Sequence, residues 1–144
     1  MQSLYTPIAT TLLRIALGIM FIAHSLYLKL MIFTLEGTAQ FFVSIGLPAS
    51  LAYVVFFAEA VGGIMLILGI QARWVSLALV PVLAGATWAH WGNGWMFGYE
   101  NGGWEYPAYL TLLAFCQFLL GDGRFVLWKS AELPNLNKVS AKEV

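Results

Sequence analysis

Residues 49–70, ASLAYVVFFAEAVGGIMLILGI, decide the fold of this chain, because they form an apolar run broken by a single charged residue, Glu59. A helix that crosses a bilayer needs about 20 predominantly apolar residues. This run has both the length and the composition of such a helix. It therefore predicts a membrane-spanning segment rather than a core helix of a soluble domain.

Three further runs on either side of this stretch have the same character, at about 7–32, 74–91 and 105–121. In a shorter segment between the first two spans, EGTAQFFVSIGLP, the positions of Ala39, Phe42, Val43 and Ile45 predict a short amphipathic helix lying in the membrane interface. The sequence therefore predicts an all-α membrane protein, a four-transmembrane-helix bundle with a short interfacial helix between the first and second spans.

The composition agrees with a membrane protein and excludes several other classes. Of the 144 residues, 60% are hydrophobic and 10% are charged, whereas about a quarter of the residues in a soluble domain are charged. The formal net charge is zero, so no nucleic-acid partner is predicted. A lone cysteine, Cys116, excludes an internal disulfide and a cysteine-built zinc site. No metal site is predicted.

The domain organisation follows from where the chain turns polar. Residues 1–127 are predicted to form one membrane domain, and residues 128–144 a polar, disordered tail. Basic residues favour the cytoplasmic side of a membrane, and four spans would bring nearly all of them to one side. Both termini are therefore predicted to be cytoplasmic. The residues on that side are Arg14, Arg73, Arg124, Lys129, Lys138 and Lys142, against Lys29 on the other.

Ionisable residues inside the membrane are the candidates for catalysis, because burying them there is costly. Glu59, His24 and His90 are the three candidates. For Glu59 two interpretations stay open. It either handles protons or binds a ligand inside the bundle, or it forms a structural ion pair with Arg14 that locks the first two spans together.

A second set of residues is predicted to bind a ligand at the outer end of the helices. Aromatic side chains concentrate there, Glu105 lies beside them along the chain, and Lys29 is predicted to lie near the same interface at the end of the first span. An ordinary aromatic belt at the membrane interface would explain the same pattern, so both interpretations stay open. The predicted ligand-binding residues are Lys29, Trp88, Trp91, Trp104, Glu105 and Tyr109.

Five segments, in this order and spacing, resemble the DoxX family of small bacterial membrane proteins. They are LLRIALGIMFIAHSLYLKL, AEAVGGIMLILGIQAR, AHWGNGW, GGWEYPAYLTLLAF and GDGRFVL, and they extend from about residue 12 to residue 127. The family pattern falls on Arg14, His24, Lys29, Glu59, Gly62, Gly63, Gly69, Arg73, Glu105, Gly121, Gly123 and Arg124. The chain departs from it at Ser25, where relatives often have Gly, and at Asp122, where they often have Pro.

The resemblance implies a multi-pass protein of the bacterial cytoplasmic (inner) membrane, in contact with the lipid bilayer. Some relatives are linked to quinone-dependent oxidation, and many have no assigned activity. The leading hypothesis is therefore a quinone-associated component of a redox system, with no covalently bound cofactor and at most a subunit of a quinone-linked oxidoreductase. The alternative is a non-catalytic anchor or assembly subunit that holds a partner protein or a second copy of the chain.

Overall fold

The computed structural model describes residues 4–134, and all of its regular elements are helical. Helix α1 continues without a break into a ten-residue π-helical segment, and α4 ends in one 3₁₀ turn. The only strand-like pairing in the described range is an isolated parallel bridge between Ile70 and Trp128. The elements are α1 (Tyr5–Ile22), the π-helical segment (Ala23–Ile32), α2 (Leu35–Ser44), α3 (Ala49–Leu68), α4 (Ala72–His90), the 3₁₀ turn (Trp91–Asn93) and α5 (Glu105–Leu120).

Three helices are long and apolar enough to cross a membrane: Tyr5–Ile32, Ala49–Leu68 and Ala72–Asn93. The outward face of α3 is apolar, as expected of a helix in contact with lipid rather than with water. Val54, Phe57, Val61 and Ile64 follow one another at helical spacing, and all four are exposed. A surface helix of a soluble protein would carry polar residues on that face.

The predicted helix ends agree with the structure to within a few residues. Helix α3 begins after Pro48 and ends where Gly69 adopts the left-handed conformation, at φ +70°. There the Ile70 N–H donates to the Met65 carbonyl at 2.8 Å, so the carbonyl left free at the helix end has a partner. Helix α5 has 16 residues and falls short of the length expected of a membrane span. The predicted count of four spans therefore stays a prediction, as does the interfacial position of α2.

Close approach of the first two long helices depends on glycine. A methyl group added at Gly18 of α1 would lie 2.8 Å from the Gly63 carbonyl oxygen of α3 and 2.7 Å from Ile67. On the other side of α3, Gly62 accommodates the Leu79 side chain of α4. The core that results is made of apolar side chains from four helices: Leu17, Phe21, Leu66, Ala72, Leu79, Leu83, Leu110 and Ala114.

The chain after α5 folds back over one end of the helices. We call residues 121–130 the clasp. Its backbone pairs with the α3–α4 turn, since the Leu127 N–H donates to the Leu68 carbonyl at 3.2 Å and the Gln71 N–H donates to the Trp128 carbonyl at 2.8 Å. The Arg124 N–H donates to the Thr11 hydroxyl of α1 at 2.6 Å. The clasp therefore ties the start of α1 to the end of α3.

Asp122 lies at the centre of the clasp. Its buried carboxylate accepts hydrogen bonds from the Arg73 N–H at 3.0 Å, from the Ser130 N–H at 2.6 Å and from the Ser130 hydroxyl at 2.7 Å. Trp128 and Ser130 are thus parts of the fold, although the predicted domain boundary placed them in the tail. Residues 135–144 of that tail, including Lys138 and Lys142, lie outside the described range.

Candidate functional site

A buried ion pair joins the first and second long helices. The Lys29 ammonium, on the π-helical segment, lies 2.5 Å from the Glu59 carboxylate of α3. Both side chains are mostly shielded, with 17% and 7% of their surface exposed. Side chains of a helix lean toward its N-terminus, which directs Lys29 back from the helix end toward the level of Glu59.

The predicted ion pair between Arg14 and Glu59 is wrong. The Arg14 guanidinium donates instead to the Asp122 and Phe125 carbonyls, at 2.8 and 3.1 Å. It packs against Gly69, where an added methyl group would lie 2.5 Å from Nη1. Gly69 follows Glu59 by about 15 Å along the helix axis, at a rise of about 1.5 Å per residue. The two side chains are therefore at different levels, and Arg14 holds the clasp.

His24 occupies the space between this ion pair and the outer end of α5. Its Nδ1 lies 3.0 Å from the Met20 carbonyl oxygen. A carbonyl only accepts, so Nδ1 carries the hydrogen and Nε2 of the neutral ring is left as an acceptor. The imidazole lies against the Tyr106 ring, with centroids 6.5 Å apart and planes at 27°.

An open cleft of about 360 Å³ lies beside this contact, lined by Phe97, Glu105, Tyr106 and Tyr109. The Phe97 and Tyr106 rings are 5.3 Å apart and tilted by 60°. The cleft is thus a mostly aromatic surface with one carboxylate, and its volume is at the lower end of that of small-molecule sites. We call it the outer cleft, because it lies at the end of the helices that the sequence predicts to face outward.

The loop that supplies Phe97 is held by His90. The His90 Nδ1 lies 3.1 Å from the Asn101 carbonyl oxygen and 3.2 Å from that of Gly102. The Asn93 amide donates to the same two carbonyls, at 3.1 and 2.9 Å. These contacts close residues 94–104 onto the end of α4. His90 was predicted as a catalytic candidate, and the structure places it in the support of this loop.

The structure brings only part of the predicted ligand-binding set together. Glu105 and Tyr109 line the outer cleft, whereas Lys29 is held by Glu59. Trp91 and Trp104 stack on each other, with centroids 4.8 Å apart. The remaining member, Trp88, is exposed and is absent from the lining of the cleft.

Sequence reasoning missed two lining residues, Phe97 and Tyr106. Both belong to the aromatic-rich stretch that was predicted to form the outer end, so their composition was a signal. The way in which these two rings face each other could not be predicted from the sequence, because it depends on how residues 94–104 fold. Within residues 4–134, no group of three or more metal-ligating side chains is close enough to hold a metal ion.

Comparison with known proteins identifies a family to which the chain is similar. The family model for DoxX matches residues 9–91, more than half of the 144 residues. The matched range includes His24, Lys29 and Glu59 and stops before the residues of the outer cleft.

A curated protein named "Putative oxidoreductase CatD", from Bacillus subtilis (strain 168), is 43% identical over 79 residues. The aligned part covers 55% of this chain and 57% of that protein. The chain thus spans little more than half the length of this curated relative. No solved structure matches the chain.

Proposed function

The chain belongs to the DoxX family of membrane proteins, and from that premise we propose that it is a quinone-associated component of a membrane redox system. The ligand is a quinone ring that enters from the bilayer into the outer cleft. The word oxidoreductase in the name of the relative supports a redox role. Electrons would pass to or from a partner protein.

The observation that carries this proposal is the composition of the outer cleft. Three aromatic rings, Phe97, Tyr106 and Tyr109, surround one half-buried carboxylate, Glu105. Flat rings stack on aromatic side chains, and a quinone needs polar partners only for its oxygens. The Tyr106 ring also contacts His24. Glu105 and His24 are therefore the groups proposed to hydrogen-bond the ligand and to accept its protons when a quinol is oxidised.

The proposal includes a topology. We place α1 with its π-helical extension, α3, α4 and α5 across the inner membrane, with α2 in the outer interface and both termini in the cytoplasm. The basic residues of the described range support this orientation, since Arg73, Arg124 and Lys129 all lie at the clasp end. The outer cleft then lies at the opposite end and faces the outer half of the bilayer.

The test is to purify the protein in mild detergent and analyse an organic extract of it by mass spectrometry. Quinone at about one molecule per chain supports the proposal. Replacing two lining rings, as in the double variant Phe97→Ala/Tyr106→Ala, should then remove most of the quinone. A matched control is Phe125→Ala/Trp128→Ala, which removes two exposed aromatic side chains at the clasp end, away from the cleft.

A second function, the non-catalytic anchor or assembly subunit, is favoured by one observation. The charged side chains of Lys29, Glu59 and Arg14 are all engaged in joining the helices and the clasp to one another. Quinone-free protein whose outer cleft binds no added quinone or quinol would contradict the redox proposal and support this one.

A further inference from the structure

We propose that the outer cleft binds the reduced, hydroxyl-bearing form of its ligand in preference to the oxidised form, and that Glu105 is the residue that distinguishes them. This inference rests on the proposed function, because it assumes that the cleft takes a quinone-type ring. It goes further by assigning the redox form that is held and the side chain that selects it.

The first step concerns the Glu105 carboxylate, which has no bonding partner among the described residues. Glu105 is the first residue of α5, and its backbone N–H donates to the Trp95 carbonyl at 3.1 Å, which fixes its position at the cleft. No hydrogen bond or ion pair joins its carboxylate to any residue in the range 4–134. Glu105 lies at the N-terminus of α5, where a helix interacts favourably with a carboxylate.

The second step is the chemistry of the two redox forms. An ionised carboxylate only accepts hydrogen bonds. A quinol has two O–H groups that can donate to it, whereas the carbonyl oxygens of a quinone only accept. A quinone in the cleft would strip water from Glu105 and give it no donor in return, and an unpaired charged group of this kind is costly. Glu105 therefore favours the quinol.

The third step is that none of the groups described at or beside the cleft within residues 4–134 cancels this preference. The Lys29 ammonium is held by Glu59 at 2.5 Å and does not line the cleft. His24 donates its Nδ1 hydrogen to the Met20 carbonyl, so its remaining nitrogen also accepts. The Tyr106 and Tyr109 hydroxyls can donate or accept and do not discriminate. The cleft is thus biased toward a ligand that brings its own donors.

The experiment compares three ligands of one ring and tail length: a short-tailed hydroquinone, the matching benzoquinone and the dimethyl ether of the hydroquinone. Each is titrated anaerobically by calorimetry into detergent-solubilised protein. The hydroquinone should bind at least about tenfold tighter than either analogue, because a site that pairs with a hydroxyl rejects the ligand that lacks it. The dimethyl ether separates the loss of O–H donors from any redox reaction.

Glu105→Gln is the decisive variant, because its carboxamide offers a donor as well as an acceptor. The ratio of quinol to quinone affinity should fall to within about threefold, mainly through tighter quinone binding. The control is Glu100→Gln. Glu100 is an exposed glutamate in the loop before α5 and does not line the cleft, so the variant should keep the tenfold preference. The melting temperature of each variant checks that it is folded.

The outcomes separate the inference from the function on which it rests. Equal binding of hydroquinone and benzoquinone by the unaltered protein would overturn the inference and leave the proposed function standing. A preference that survives Glu105→Gln would also overturn it, by giving the selection to another group. If none of the three ligands binds, the proposed function itself fails.

Discussion

Within residues 4–134, the Lys29 ammonium and the Glu59 carboxylate form hydrogen bonds only with each other. In a low-dielectric environment, removing one partner leaves the other charge buried and unpaired. This lowers the free energy of unfolding by far more than the intact pair contributes to it. Lys29 and Glu59 are 30 positions apart along the chain and lie on different helices. The pair therefore acts as a specific link between α3 and the π-helical segment, in addition to any part that it has in proton chemistry.

We expect Glu59→Leu to lower the free energy of unfolding by about 3–5 kcal/mol, because it leaves the Lys29 ammonium buried and unpaired. The double variant Lys29→Met/Glu59→Leu should recover most of this loss. Thermal unfolding in detergent measures both, and the coupling energy comes from the double-mutant cycle. The exposed pair Lys129–Glu132 is the control, with an expected coupling below about 1 kcal/mol. Strictly additive effects at Lys29 and Glu59 would contradict the link.

At the scale of single residues, the sequence predicted which side chains matter better than it predicted their partners. Glu59 was identified because a carboxylate in an apolar run is costly. Its partner was wrong because axial rise gives only the depth of a residue, and Arg14 has its carbonyl acceptors in a segment more than a hundred positions away. The free carboxylate of Glu105 depends on how the outer loop closes, which composition does not reveal.

The helices contain glycines at close contacts and glycines in open space, and α1 and α4 provide one of each. Gly18 faces the α3 backbone, whereas a methyl group at Gly85 of α4 would meet no atom within 4 Å. Gly18→Ala should therefore push α1 from α3 and lower the melting temperature, at a cost of about 1–3 kcal/mol. Gly85→Ala should be neutral or slightly stabilising, since alanine is the better helix former. Equal melting temperatures for the two variants would rule out the close α1–α3 contact.

The hydrogen bonds of the clasp predict that replacing Asp122 lowers stability by more than Gly18→Ala does. Asp122→Ala leaves the buried Ser130 N–H without an acceptor and leaves the Arg73 N–H only the Ser130 hydroxyl, at 3.3 Å. An unsatisfied buried group costs about 1–3 kcal/mol. We expect a loss of stability of about 2–4 kcal/mol. Limited proteolysis should then cut within residues 121–130 first. Glu132→Ala, an exposed acidic residue just beyond the clasp, is the control; a matching loss there would contradict the role of Asp122.

Among the elements, the long helices were predictable and their irregular parts were not. An apolar run of about 20 residues is most favourable as a membrane-spanning helix. The predicted ends of α3, α4 and α5 differ from the observed ones by at most two residues. The π-helical segment Ala23–Ile32 has no sequence signature, since π-helical turns arise from packing. The clasp was missed because its backbone bonds to α1 and to the α3–α4 turn, and the Asp122 bonds to Arg73 and Ser130, are not visible in local sequence patterns.

For the whole molecule, the number of membrane crossings is the property that the clasp constrains most. The Arg124 N–H bonds the Thr11 hydroxyl, so the start of α1 and the segment after α5 lie at the same end of the helices. An even number of crossings follows if α1, α3 and α4 each cross once, and α5 is then the fourth. Its 16 residues span about 24 Å, less than the roughly 30 Å of a bilayer core. A short span is accommodated by local thinning of the bilayer.

The proposed orientation puts the carboxyl end in the cytoplasm, so a fluorescent protein fused after Val144 should fluoresce and alkaline phosphatase fused at the same point should be inactive. Phosphatase inserted at Asn101, in the loop before α5, should be active. With only three crossings the two insertions would report the same side, since α5 would no longer separate them. Phosphatase activity after Val144 combined with none at Asn101 would instead keep four crossings and invert the orientation. The outer cleft would then open toward the cytoplasm, and any redox partner would have to approach it from that side.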